Sequence, residues 1–242
     1  MNRTKQKLIA PQIALRKMSS KQKAAIQQRF FKTGPGQYGE GDIFIGVTVP
    51  EIRTVAKAFA EVSVADTDHL LKSPVHEDRL LGLLVIVKRY EKEKSLENKK
   101  RHVEYYLSHR DSINNWDLVD VTVYKTLGDY CLRINDAKIL DQLSKSNHHW
   151  SKRMAIVATF AFIRKAKLDL TFKYAEFFLK EKEDLMHKAT GWMLREAGKK
   201  DKERLFGFIK KFGKAMPRTM LRYAIEKFPE TQRKQILLQT RC

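Results

Sequence analysis

Nearly every stretch of this chain returns its apolar residues at intervals of three and four, and that regularity limits what it can fold into. Ile52, Val55, Ala56, Phe59 and Ala60 show the pattern clearly, forming a stripe down one face of an α-helix. The same spacing predicts helices over residues 5–17, 21–31, 51–62, 66–71, 77–90, 96–108, 115–130, 136–144, 149–166, 168–179, 184–198, 202–212, 217–228 and 230–239. Ser19 and Ser20 are cap candidates, and Pro50 suits the first turn of its helix. The one strand-like run, 43–49, is short and interrupted by Gly46, and nothing alternates with period two for long enough to build a sheet. Short helices in series leave a globular bundle or a solenoid of stacked helix pairs. The pairs recur at roughly 35 to 40 residues without a strict signature, which favours an all-α, HEAT-like helical repeat superhelix, an α-α solenoid. Its curvature would supply one long concave face, in a single domain over 1–242 with 1–20 as a peripheral basic helix.

Charge narrows the class of partner. The chain has 48 Lys+Arg against 28 Asp+Glu, a net charge of +20, and no acid precedes Glu40. A concave face on such a chain would be basic, the electrostatic footprint of a nucleic-acid binder; an anionic membrane surface or a generally basic proteome is the alternative. The apolar runs at 80–87 and 155–163 are too short to span a bilayer. Cys131 and Cys242 form no CxxC or zinc-type spacing, which fits a reducing cytoplasm. The expectation is a cytoplasmic monomer without membrane attachment.

Chemistry is concentrated around the tryptophans. Trp116 and Asp120 are four apart, so a helix places an indole and a carboxylate on the same face. Asp117 reads as a helix-start acid favoured by the dipole. Trp150 precedes a long apolar run and reads as core, with Arg153 three residues on. Lys188, Trp192 and Arg195 share a face at spacings of four and three. Indoles and cations on successive repeats would make a stacking platform in a phosphate-binding groove, although each taken alone could be core or a solvated charge. His148 and His149 lack a third ligand at standard spacing, so no metal is expected, and no Ser-His-Asp or Cys-His set is legible. The Gly-rich segment 33–42 lacks the Lys-Ser/Thr of a P-loop and reads as a connection, with a phosphate cradle as the lesser alternative, and Tyr38 reads as a packed loop aromatic, with stacking on a base as the alternative.

Four separated stretches in order carry a family resemblance. They are Phe30-Phe31-Lys32 with Gly46-Val47-Thr48-Val49-Pro50-Glu51-Ile52-Arg53, then Trp116-Asp117-Leu118-Val119-Asp120, then Trp150-Ser151-Lys152-Arg153, then Lys188-Ala189-Thr190-Gly191-Trp192-Met193-Leu194-Arg195-Glu196. Through these the sequence resembles the AlkD-like DNA alkylation-repair glycosylases over roughly residues 21–228. The resemblance implies a HEAT-like superhelix that grips duplex DNA in a basic concavity and hydrolyses the N-glycosidic bond of alkylated purines, without a cofactor. It puts Trp116 and Trp192 at the family's active-site indoles, Asp120 at its catalytic carboxylate and Arg153 at its phosphate-contacting arginine. Lys188, Arg195, Arg53, Phe30 and Lys32 join them as expected DNA contacts. Phe30 stands where well-known members carry tyrosine, a change that removes a hydroxyl and keeps the ring.

These residue types suit such a reaction. A purine alkylated on a ring nitrogen is already cationic and leaves without a proton from the enzyme. One carboxylate could stabilise the oxocarbenium-like sugar and position water, and indole faces attract cations by about 0.5 to 2 kcal/mol. A HEAT-like module that binds damaged, bent or branched DNA without cutting a bond is the competing reading.

Overall fold

The computed structural model describes residues 8–241. Residues 5–7 of the first expected helix, and Cys242, lie outside them. The chain is all-α, a series of short helices packed on their sequence neighbours in the manner of a helical repeat. It forms two compact units, which divide between Leu118 and Val119. The first contains α1 (Ala10–Lys17), α2 (Lys21–Phe30), α3 (Val49–Ala58), α4 (Val64–Leu71), α5 (His76–Lys92) and α6 (Leu96–Ser108); the boundary falls within α7 (Trp116–Asp120). The second contains α8 (Leu127–Ile134), α9 (Lys138–Ser144), α10 (His149–Ala158), α11 (Phe160–Ile163), α12 (Asp169–Phe177), α13 (Asp184–Gly198), α14 (Lys202–Phe212), α15 (Arg218–Ala224) and α16 (Glu230–Gln239).

In the first unit α5 is the hub. Its residues from Leu80 to Val87 are all buried, and α1, α3, α4 and α6 pack around it. In the second unit α10 plays that part, against α8, α9, α12 and α13, while α15 lies along α13. An added Cβ on Gly191 of α13 would fall 2.5 Å from the Met220 carbonyl oxygen and 2.5 Å from Tyr223 Cβ. The missing side chain is therefore what lets these two helices approach so closely.

Three sequence expectations need correcting. The strand-like run 43–49 contributes only a single parallel bridge, Ile43 to Val75, and Val49 already opens α3. Its amides have another destination: Ile45, Gly46 and Val47 donate to the Glu77 carboxylate at 3.0, 2.9 and 3.2 Å. The long helix expected over 115–130 is broken into α7, a 3-10 turn at Val123–Lys125 and α8. Val121, Thr122 and Val123 are β-branched and stiff, and Thr126 turns its hydroxyl back to the Thr122 carbonyl at 3.1 Å, which competes with helix continuation. The helix over 149–166 likewise breaks at Thr159, whose hydroxyl donates to the Ile156 carbonyl at 2.6 Å.

Candidate functional site

In the first unit the expected residues gather on an aromatic ladder. Phe30, 62% exposed at the end of α2, meets the Trp116 ring edge-on at 5.9 Å. The Trp116 face stacks on buried Phe31 at 5.2 Å, Phe31 on Phe44 at 4.7 Å, and Phe44 on the imidazole of His76 at 4.4 Å. Lys32, just beyond Phe31, takes a left-handed φ of 51° that turns the chain away and leaves its side chain exposed. Arg53 is exposed on α3.

Beneath the ladder lies a buried ionic cluster that sequence reasoning missed. His76 is 1% exposed, with Nδ1 3.1 Å from Asp42 and Nε2 2.8 Å from Asp117. Asp42 also accepts from Arg79 at 2.5 Å and from Asn115 at 3.1 Å, while Arg79 reaches Asn114 at 3.0 Å. Asp117 accepts in addition from the Leu118 amide at 2.8 Å, so its expected structural role is met with partners far beyond the helix start. Burial pushes the His76 imidazolium toward losing its proton, but the Asp117 and Asp42 carboxylates outweigh it and raise the group to about 9. For Asp42 burial acts in the opposite direction, upward, and the bond from His76 and the Arg79 charge overcome it, holding the carboxyl below its ordinary range. The only sequence cue was His76-Glu77-Asp78-Arg79 at a helix start, a run that usually faces water.

In the second unit Asp120 and Arg153 form one object. Asp120 accepts through both oxygens, from Arg153 Nε at 2.9 Å and Nη2 at 2.8 Å, with side-chain exposures of 13% and 5%. Arg153 also donates to the Leu185 carbonyl at 2.5 Å, which ties it to α13. The arginine expected to hold a phosphate is thus buried and turned to a carboxylate. Arg195 is similarly engaged, with Glu196 at 3.2 Å and with Glu226. Lys188 pairs with Asp184 at 2.8 Å on α13's first turns. Trp192 is half-buried and lies 6.0 Å from Phe160, which in turn meets Tyr124 edge-on at 5.2 Å. Phe160 and Tyr124 escaped notice in the sequence because nothing there distinguishes them from core aromatics. Trp150 is buried at 8%, as its apolar sequence context suggests.

Other arrangements offer less chemistry. Asp68, His109 and Ser108 do come together, with His109 Nε2 3.1 Å from Asp68 and Nδ1 3.1 Å from the Ser108 hydroxyl. However, Nδ1 also lies 2.9 Å from the Tyr105 carbonyl, which requires it to carry a proton, so it is no base for serine. Ser108 spends its own proton on the same carbonyl at 2.8 Å, and the group works as a cap on the end of α6. Burial, with Asp136 nearby, pushes the Cys131 thiol up to about 12, and no cluster of three or more potential metal ligands occurs among the described residues. Two open clefts in the second unit, of about 440 and 540 Å³, are lined by Asp141, Lys173 and Tyr174 and by Asn135, Leu168 and Arg204; none of the expected site residues borders either.

A family model described as DNA alkylation repair enzyme matches residues 12–228. The chain belongs to that family. It is the AlkD-like family that the tryptophan motifs resemble. A solved structure described as a predicted DNA alkylation repair enzyme from Enterococcus faecalis superposes with a TM-score of 0.69 over 88% of this chain and 97% of its own. At 17% identity that likeness concerns the fold. No curated protein matches. No helix among the described residues is long and apolar enough to cross a membrane.

Proposed function

We propose that this protein is a monofunctional DNA glycosylase that releases cationic N3- or N7-alkylated purines from duplex DNA. The observation that carries the reading is the bidentate hold of Arg153 on Asp120. A carboxylate meant to act by charge must be aimed before the reaction begins, because reorienting it during the reaction would cost part of what it gains. The planar guanidinium fork, itself tied to Leu185, fixes both the position and the plane of Asp120. A carboxylate has about four acceptor sites, so two bonds to arginine do not by themselves exhaust it.

In this reading the alkylated base departs as a neutral purine while positive charge develops on the sugar. Asp120 opposes that charge: at an effective dielectric near 20, unit charges 4 Å apart attract by about 4 kcal/mol. The same carboxylate orients the water that attacks the anomeric carbon and accepts its proton as the new C–O bond forms. Trp116 and Trp192 contribute indole faces that favour a cation over a neutral nucleotide, which is differential stabilisation and hence catalytic. Phe30, Lys32, Arg53 and Lys188 are assigned to the sugar-phosphate backbone, which the +20 charge attracts. Arg195, already paired with Glu226, would exchange that partner for a phosphate. The protein works as a monomer in the cytoplasm on damaged duplex DNA, and no metal or cofactor enters the scheme.

The salt bridge also favours a second reading. In a binding module that recognises damaged DNA without cutting it, Asp120 would serve only to hold Arg153 in place. Asp120→Asn separates the two. The amide keeps the shape and one acceptor but not the charge, so the variant should still fold and bind DNA, at reduced stability, while release of free N7-alkylguanine from methylated duplex DNA nearly ceases. Undiminished release by the variant, or none by the wild type across several adducts, would transfer the assignment to the binding module.

A further inference from the structure

We infer that His76 is a positioning residue for Trp116, a buried imidazolium that clamps the loop residue Asp42 and the helix residue Asp117 and thereby sets the plane of the indole one residue away. The inference rests on the glycosylase reading only for its catalytic consequence; the clamp itself stands on geometry within the first unit. Both ring nitrogens of His76 face carboxylate oxygens, at 3.1 and 2.8 Å, and a neutral imidazole has one donor. Neutral His76 would leave one nitrogen lone pair against a buried carboxylate, a repulsive and unpaired contact. Only the doubly protonated ring satisfies the site.

The clamp reaches Trp116 by two routes. Along the backbone, Asp117 is its immediate neighbour, and Asn115, on the other side, donates to Asp42 at 3.1 Å while its side-chain oxygen accepts the Trp116 amide at 2.8 Å. Both residues flanking the indole are therefore tied into the cluster. Through space, the imidazolium forms the base of the ring stack that runs through Phe44 and Phe31 to the Trp116 face. The charges facing His76 are Asp42 from the loop, Asp117 from α7 and Glu77 from its own helix, while Arg79, also on that helix, is turned to Asp42. Two carboxylates against two cations nearly neutralise one another, with Glu77 committed to the amides of residues 45–47. Removing one imidazole proton would leave Asp42 or Asp117 facing a lone pair, and both carboxylates are joined to the residues that flank Trp116.

The test reads Trp116 directly. Protein carrying 5-fluorotryptophan should give resonances from Trp116, Trp150 and Trp192, assigned by single Trp→Phe changes, which can be followed by fluorine NMR from about pH 6 to about pH 10. The Trp116 resonance is expected to move with a midpoint near 9 in the wild type, and the movement to vanish in His76→Gln. In Asp117→Asn, which removes the nearer carboxylate, the midpoint should fall by about one unit or more. With alkylated DNA, His76→Gln should slow single-turnover base release by about 10- to 100-fold, the scale of a small misplacement, while the Kd for DNA changes by less than about twofold. A Trp116 resonance that stays flat in the wild type, or that titrates identically in His76→Gln, overturns the clamp. Should His76→Gln fail to fold, the wild-type and Asp117→Asn titrations decide. The NMR readout needs no base release, so failure of the glycosylase reading leaves it intact and separately visible.

Discussion

Trp116 and Trp192, the two indoles assigned to the proposed site, are supported in unlike ways. Trp116 rests on a stack of rings that ends on a buried cation, with the residues on both sides of it bonded into one ionic cluster. Trp192 has a tilted ring neighbour, Phe160, and sits next in sequence to Gly191, which permits the tight seam between α13 and α15. One indole is held by charge, the other by close packing. The first arrangement should respond to pH, the second to volume.

The strongest perturbation should come from the second unit's own charge pair. Arg153→Met would leave Asp120 without its counter-ion at 13% exposure and is expected to destabilise the fold by about 3 to 5 kcal/mol in urea denaturation. A loss below about 1 kcal/mol would show that water reaches the carboxylate freely. Next comes Gly191→Ala, whose Cβ would press on the Met220 carbonyl oxygen from 2.5 Å. The expected loss is about 1 to 3 kcal/mol, independent of pH, and accompanied by a change in Trp192 fluorescence. An unperturbed Trp192 would separate the indole from the seam.

The first unit should behave differently. An imidazole whose folded value is about 9, against 6.5 unfolded, binds its proton more tightly in the folded state. Its stabilising contribution is complete below pH 6.5 and is lost as pH climbs through about 9. Comparing urea midpoints of wild type and His76→Gln across that window should show the gap closing as the solution becomes alkaline. A constant gap would place the stabilisation in packing and erase the contrast with Trp192. The smallest effect on the fold is expected from Phe30→Ala. At 62% exposure its loss should cost within about 0.5 kcal/mol of stability, while DNA binding, if the ring stacks on the substrate, weakens by about 1 kcal/mol in a titration at fixed salt.

The sequence disclosed the helices because burial on one face writes itself into local spacing. Elements such as α3, α6, α13 and α14 follow directly from it. The breaks after Asp120 and at Thr159 escaped because the apolar stripe runs on through them, although Val121-Thr122-Val123 carried a usable warning in its β-branched side chains. The pairing of Asp120 with Arg153 joins residues 33 apart, and His76 reaches residues 34 and 41 away. Such separations leave no periodic trace. The family motifs pointed to Trp116, Asp120, Arg153 and Trp192, yet gave no indication that Arg153 would be buried against Asp120 rather than turned outward.

The amides of residues 45–47, gathered onto the Glu77 carboxylate, belong to no helix or strand. By secondary structure alone they should exchange their hydrogens with solvent as quickly as any loop. Held by an oxygen that is itself buried, they should instead exchange on the slow timescale of the surrounding core. Acid would remove that protection early, because burial raises the Glu77 carboxyl above its ordinary range and a protonated oxygen is a poorer acceptor. This short irregular segment would then loosen at a pH where the helices around it still hold.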